Sequence, residues 1–141
     1  MILQGTCDSF RGEILQGIHS FTLDTFKFAL YQAPSANLSS STTSYSSTGE
    51  LVSTGYTAGG QSLLSVAVNV VPGIAYVTFN PPSWTLPLIP GIDGGLIYNS
   101  SKANRAVAVF NFGTTRYPKS GGSFIIALPY DPINNALIRL A

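Results

Sequence analysis

The chain carries one histidine and one cysteine, so any nucleophilic or acid–base chemistry turns on His19 and Cys7. A serine hydrolase would need His19 as the base between a serine and an aspartate. Serines abound, but none stands in a Gly-x-Ser-x-Gly elbow. Cys7 and His19 together could form a thiolate pair, yet Cys7 falls on the apolar face of a helical pattern, where a cysteine is a small core residue. Asp8, Glu13, Asp24, Glu50, Asp93 and Asp131 offer carboxylates for glycoside cleavage. Each stands alone among turn residues, where acidic side chains serve as caps and turn formers. A single cysteine excludes a disulfide framework, and no group of ligands has metal-site spacing. Residues 49–60 are glycine-rich but lack the Gly-Lys-Ser or Gly-Lys-Thr ending of a phosphate-binding loop. The basic residues are scattered rather than striped, so no nucleic-acid partner is expected. The reading is a chain with no catalytic residue, no metal and no cofactor.

The elements that position these side chains are mostly strands. Residues 91–113, GIDGGLIYNSSKANRAVAVFNFG, pair two runs rich in β-branched and aromatic residues around a cluster of turn formers at 99–105. They predict a buried hairpin at the centre of a sheet. Residues 25–31, TFKFALY, alternate Phe26, Phe28 and Leu30 against Thr25, Lys27, Ala29 and Tyr31, the pattern of a half-buried strand. Residues 63–70 and 74–79 predict a second hairpin, closed by a type II turn at Val71, Pro72, Gly73 and Ile74. Further strands are expected at 124–128 and 136–140, with a turn at 129–135 between them. A helix is predicted from Asp8 or Ser9 to Gly17, with Cys7, Phe10, Ile14, Leu15 and Ile18 near one face. Residues 33–49 are dominated by Ser and Thr and predict a long surface loop. The fold class is therefore all-β, a β-sandwich or jelly roll of about seven or eight strands with one short N-terminal helix, in a single domain spanning 1–141.

Only 9% of the 141 residues are charged and the net charge is +1, whereas a free surface is normally kept soluble by mixed charge and a net charge away from zero. That contrast predicts a surface partly covered by neighbours, including copies of the same chain. Two segments are the expected partner-binding positions. Residues 80–90, NPPSWTLPLIP, set Trp84, Leu86, Leu88 and Ile89 among four prolines, a stiff segment that loses little entropy on docking. Residues 114–122 hold Arg116, Tyr117 and Lys119. Trp84 and the tyrosines Tyr31, Tyr45, Tyr56, Tyr98, Tyr117 and Tyr130 could also stack on sugars, with core packing as the simpler role. The N-terminal residues lack a secretory signal pattern, and the most apolar stretch, 63–79, is interrupted by Asn69, Pro72 and Gly73, so neither export by a signal peptide nor a membrane span is expected.

Five strings taken in order, FKFALY (26–31), TGELVSTGYTAGG (48–60), PSW (82–84), GGLIYNSSKANRAVAVFNFG (94–113) and NALIRLA (135–141), resemble a family of short structural proteins of tailed-phage virions. The likeness covers nearly the whole chain and lies in strand and turn residues, so it implies a shared fold and no inherited catalytic residue. It implies a non-enzymatic virion component, made in the host cytoplasm. The expected function is a capsid decoration or cement protein that bridges and stabilises subunits of the major capsid protein, its partner. The alternative is a tail or connector component with a carbohydrate- or receptor-binding role.

Overall fold

The computed structural model describes residues 1–128 and 132–141. In chain order its elements are β1 (Gly5–Thr6), α1 (Asp8–Leu15), β2 (Phe26–Tyr31), β3 (Gln61–Ser62), β4 (Ala67–Val71), β5 (Ile74–Thr78), β6 (Ser83–Thr85), β7 (Ile92–Asn99), β8 (Arg105–Arg116), β9 (Ser123–Ile125), α2 (Pro132–Asn135) and β10 (Arg139–Leu140). The protein is all-β. Its strands form a five-stranded sheet in the order β1-β8-β7-β2-β3, a three-stranded sheet β10-β5-β4 and a two-stranded sheet β6-β9, all antiparallel. Among the described residues the ten strands exceed the seven or eight expected because β1, β3 and β6 are pairings of two or three residues, too short for a periodicity to read.

The hairpin β7–β8 occupies the middle of the large sheet, as its apolar runs predict. Its connection uses left-handed backbone at Ala103 and Asn104, and the Asn99 side chain accepts from the Ser101 N–H at 3.0 Å. Opposed residues of antiparallel strands project to the same face. The register therefore groups Phe26 with Asn99, Phe28 with Ile97 and Leu30 with Gly95 on one face, and Lys27 with Tyr98, Ala29 with Leu96 and Tyr31 with Gly94 on the other. Both faces are buried: in β2 only Lys27 is not. The half-buried strand expected at 25–31 is thus a fully covered one, since alternation along a strand cannot reveal a second cover.

The first face carries an aromatic layer. The Phe28 ring reaches across β7 to stack on Phe110 of β8 with centroids 5.5 Å apart, and meets Trp84 of β6 edge-on at 6.3 Å. Trp84 and Phe112 each pack against Phe124 of β9, which seats the two-stranded sheet on the large one. Farther along this face, Phe10 of α1 packs on His19 and Phe21, and these two pack on Phe26. The helix ends two residues sooner than expected, at Leu15. Cys7 and Phe10 are buried as predicted, but Leu15 is exposed, and Glu13 takes a buried place on the helix.

The opposite face is covered by the Ser/Thr-rich segment, which is a fitted lid rather than a free loop. Ala36, Leu38 and Leu51 are core residues. Backbone bonds fasten the segment at Leu3 N–H to Leu38 C=O, Gln32 N–H to Gly49 C=O, and Leu51 N–H to Leu30 C=O. The second predicted hairpin forms as β4–β5, with Gly73 at φ 82 as a type II turn requires. At the C-terminal end the strand expected at 136–140 shortens to β10, preceded by the single helical turn α2. Part of the turn expected at 129–135, with Tyr130 and Asp131, lies outside the described residues.

Gly95 is what admits the Phe28 ring onto the sheet, because a Cβ there would overlap Phe28 Cε1. Gly95→Ala is expected to lower stability by about 1–3 kcal/mol, the usual range for overpacking, read as a shift in the urea midpoint. In a Phe28→Leu background the same substitution should be markedly less damaging. Additive effects would show that the ring and the glycine are not coupled.

Candidate functional site

His19, Glu13, Asp24 and Glu50 fall into two internal hydrogen-bonded networks. His19 Nε2 lies 2.6 Å from Glu13 Oε2, and Asn99 Nδ2 lies 3.0 Å from His19 Nδ1. An amide nitrogen only donates, so Nδ1 accepts and the ring proton sits on Nε2, donated to Glu13. Asn99 gives its second hydrogen to Asp24 at 2.8 Å, and the Ser20 N–H donates to the same oxygen at 2.9 Å. Arg105 closes the other end on Glu13 Oε1 at 3.0 Å, with Lys102 3.8 Å from Asp24. His19 is buried with both ring nitrogens engaged, which is the arrangement of a structural histidine and not of a base aimed at a nucleophile. Cys7 is buried too. Burial, and then the neighbouring Asp8 and Glu13 charges, push its thiol up to about 12, so it carries no thiolate at neutral pH.

Burial alone would raise the Glu13 carboxyl, but bonds from His19 and Arg105 outweigh it and hold it below the ordinary carboxylate value. Asp24 is lowered likewise, its burial outweighed by Ser20, Asn99 and Lys102. Glu13, expected as a cap or turn former, is instead the hub that ties α1 to the start of β8.

The second network surrounds Glu50, also expected as a turn former and in fact buried. It accepts from Tyr45 Oη at 2.5 Å on one oxygen, and from Tyr56 Oη and the Gly59 N–H at 2.7 Å on the other. Tyr98 of β7 donates to the Gly59 carbonyl at 2.7 Å and stacks on Tyr45, centroids 4.7 Å apart. Tyr31 donates to the Ser46 carbonyl at 2.6 Å. Burial first, and then the Glu50 charge, push Tyr98 up to about 12 and raise Tyr31, Tyr45 and Tyr56 as well. Tyr31 and Tyr98 thus donate from the sheet to the lid, and Tyr45 and Tyr56 donate to Glu50 within it, so all four hydroxyls are engaged in internal bonds.

The two expected docking segments are split by the fold. Trp84 and Leu86 are core residues, because β6 pairs with β9 and faces the large sheet. Leu86 is held by its N–H donating to the Gly122 carbonyl. They are therefore not exposed anchors. A turn at 86–89, closed by Ile89 N–H to Leu86 C=O at 3.0 Å, then throws Leu88 and Ile89 outward, 71% and 43% exposed. Arg116, Tyr117 and Lys119 do come together. With Phe112, Phe124 and Ile125 they line a groove of about 640 Å³, and Tyr117 is 63% exposed. Gly91 lies against the Tyr117 ring and Thr115, where a side chain would crowd both. The loop bearing Leu88 and Ile89 thus leads into Gly91, which touches the groove residue Tyr117.

Among the described residues no group of His, Cys, Asp or Glu has the arrangement of a metal site, and no helix is long and apolar enough to cross a membrane. Comparison with protein-family models, curated proteins and solved structures returns no match. Sequence reasoning missed both internal networks. The only local signal was that Glu13 and Glu50 lie within ten residues of their partners His19, Tyr45, Tyr56 and Gly59.

Two pH limits follow. Glu13 and Asp24 have lowered values in the folded state, so the stability they contribute is present above the unfolded value of about 4 and is lost as pH falls through the folded values. The raised tyrosines act at the other end: their contribution is intact below the unfolded value of about 10 and is lost as pH rises above it. Melting temperature against pH should form a plateau with both flanks, and Glu13→Gln should flatten the acid flank. Tyrosinate absorbance should develop for the buried tyrosines only with unfolding. A smooth titration of every tyrosine near 10 in the folded protein would contradict the Glu50 network.

Glu50→Ala would leave two hydroxyls and an N–H unpaired beneath the lid, at about 1–3 kcal/mol for each buried group left unsatisfied. A large drop in denaturation midpoint is expected, with new protease cleavage within 33–60. Wild-type resistance to protease would show that the lid is fastened elsewhere.

Proposed function

We propose that this chain is a non-enzymatic virion structural protein of a tailed phage, a capsid decoration or cement protein that binds the major capsid protein and bridges its subunits. The observation that carries the reading is a chain poor in charge that exposes Leu88 and Ile89 on one turn, and Tyr117 and Ile125 along a groove with Arg116 and Lys119. Interfaces are depleted of most charges at their centres and enriched in aromatic residues and Arg, and this composition fits that description. The resemblance in strand and turn strings across the chain supports the same class. The chemistry also agrees, since His19, Glu13, Asp24 and Glu50 are engaged in holding the fold. In this reading the protein is made in the host cytoplasm and is carried on the particle.

Leu88→Ser with Ile89→Ser is the informative pair, because both side chains are outside the core. The double variant should fold normally yet bind particles less tightly. Full burial of a leucine is worth about 1.5–3 kcal/mol, so the loss should be at least tenfold and up to several hundredfold. Leu86→Ser serves as the contrast and should destabilise the isolated protein by about 2–5 kcal/mol, as large-to-small changes in cores do. Purified particles would be assayed for bound protein and for heat resistance. Wild-type occupancy and heat resistance with the double variant would refute the docking role of this surface, and a copy number of a dozen or fewer would refute decoration.

A further inference from the structure

In the hairpin β4–β5 only Val77 is buried. Residues 63–79 contain no Asp, Glu, Lys or Arg, and β4 is an edge strand of its sheet. Val71 opposite Ile74 closes the hairpin around two turn residues, so Val71, Asn69 and Ala67 exchange backbone bonds with Ile74, Tyr76 and Thr78. Val68 and Val70 must then aim their N–H and C=O groups away from β5. The same alternation is visible on the far side of β5, where the Val77 N–H donates outward to the Ile138 carbonyl at 3.0 Å. Among the described residues no strand pairs with the outer edge of β4. The Val68 and Val70 side chains, which share one face, are 47% and 77% exposed.

We infer that β4 pairs edge to edge with β4 of a second copy of this chain, antiparallel and two-fold symmetric about Asn69. In that register Val68 of each copy faces Val70 of the other, so the outward-pointing groups meet one another in four N–H···O=C bonds. Asn69 faces its own counterpart in a pair that exchanges no backbone bonds. Four valines then lie side by side on one face, and two three-stranded sheets become one of six strands. The occupant is a second copy because the edge is complementary to itself. A two-fold contact sets each side chain near its own kind, which a charged strand would resist, and this one bears no charge. Solvent-facing edges are normally defended by Lys, Pro or a bulge. β4 has none of these, and its register with β5 is uninterrupted. The pairing of five-residue strands buries less than a standard interface of about 1,600 Å², so the dimer is weak in isolation and gains from many copies on one surface. This contact is separate from the surface around Leu88 and Tyr117 and does not depend on the virion reading.

Sedimentation equilibrium of the purified chain from roughly 10 μM to 1 mM, the range of weak association, should show a reversible monomer–dimer equilibrium. Val70→Pro removes one outward N–H and no bond to β5, and Val70→Lys places a charge in the contact. Each should weaken dimerisation at least tenfold, while Val52→Lys, at an exposed site outside the strands, leaves it unchanged. Asn69→Cys should form a disulfide dimer under mild oxidation, since the two-fold register sets these Cα atoms about 4.5 Å apart. Hydrogen exchange on the wild type requires no variant to fold: the Val68 and Val70 amides should gain protection with concentration. A monomer throughout the range, a dimer indifferent to both Val70 substitutions, or protection of these amides independent of concentration would overturn the inference.

Discussion

A sheet whose central strands are buried on both faces has to be covered twice, and that requirement shapes the rest of this protein. β2 and β7 present scarcely any solvent-facing side chain, so a single packed layer would leave half of their apolar surface in water. The two covers are built by different physics. On one face aromatic rings interlock, from Phe28, Phe110 and Trp84 to Phe112 and Phe124. On the other, a polar segment is knit together around the Glu50 carboxyl and tied to the sheet by bonds from Tyr31, Tyr98 and the Leu30 backbone.

The polar cover explains how so short a chain with so little charge holds a long Ser/Thr-rich segment in place. Small hydroxylated residues bury little apolar area, so the segment cannot be retained by hydrophobic contact alone. Glu50 supplies the missing attachment by accepting three bonds from groups within the lid, while Tyr98 and Leu30 supply contacts from the sheet. A carboxyl group is accommodated beneath the surface there because donors replace its water. The Glu13, His19, Asn99 and Asp24 network follows the same rule where α1 meets the central hairpin. In both places residues that enzymes use for catalysis are fully occupied in holding elements together.

The economy of charge has a counterpart outside. With ionisable side chains committed to internal bonds or scattered as single surface groups, exposed apolar residues remain at the turn of Leu88 and Ile89, along the groove of Tyr117 and Ile125, and on the free edge of β4. These surfaces lie on elements that add little to the core. Substitutions there are therefore able to change association while leaving the fold intact, which separates them from Trp84 and Leu86 only a few residues away.

The sequence by itself determined the all-β class, the central hairpin, the short helix and the type II turn of β4–β5. Each depends on local propensity or periodicity, which a short window contains. It also put Arg116, Tyr117 and Lys119 together, since they are neighbours along the chain. Tertiary structure alone decided that β2 is covered on both faces, that the Ser/Thr-rich segment is a lid, and that Glu13 and Glu50 are buried hubs. Those outcomes depend on partners such as Asn99, Arg105 and Tyr98, which are dozens of residues away and leave no trace in spacing. The division of residues 80–90 was likewise beyond the sequence. Trp84 and Leu86 share the inward phase of a strand, but the turn closed between Leu86 and Ile89 ends that phase, and only the pairing of β6 with β9 fixes which way it points.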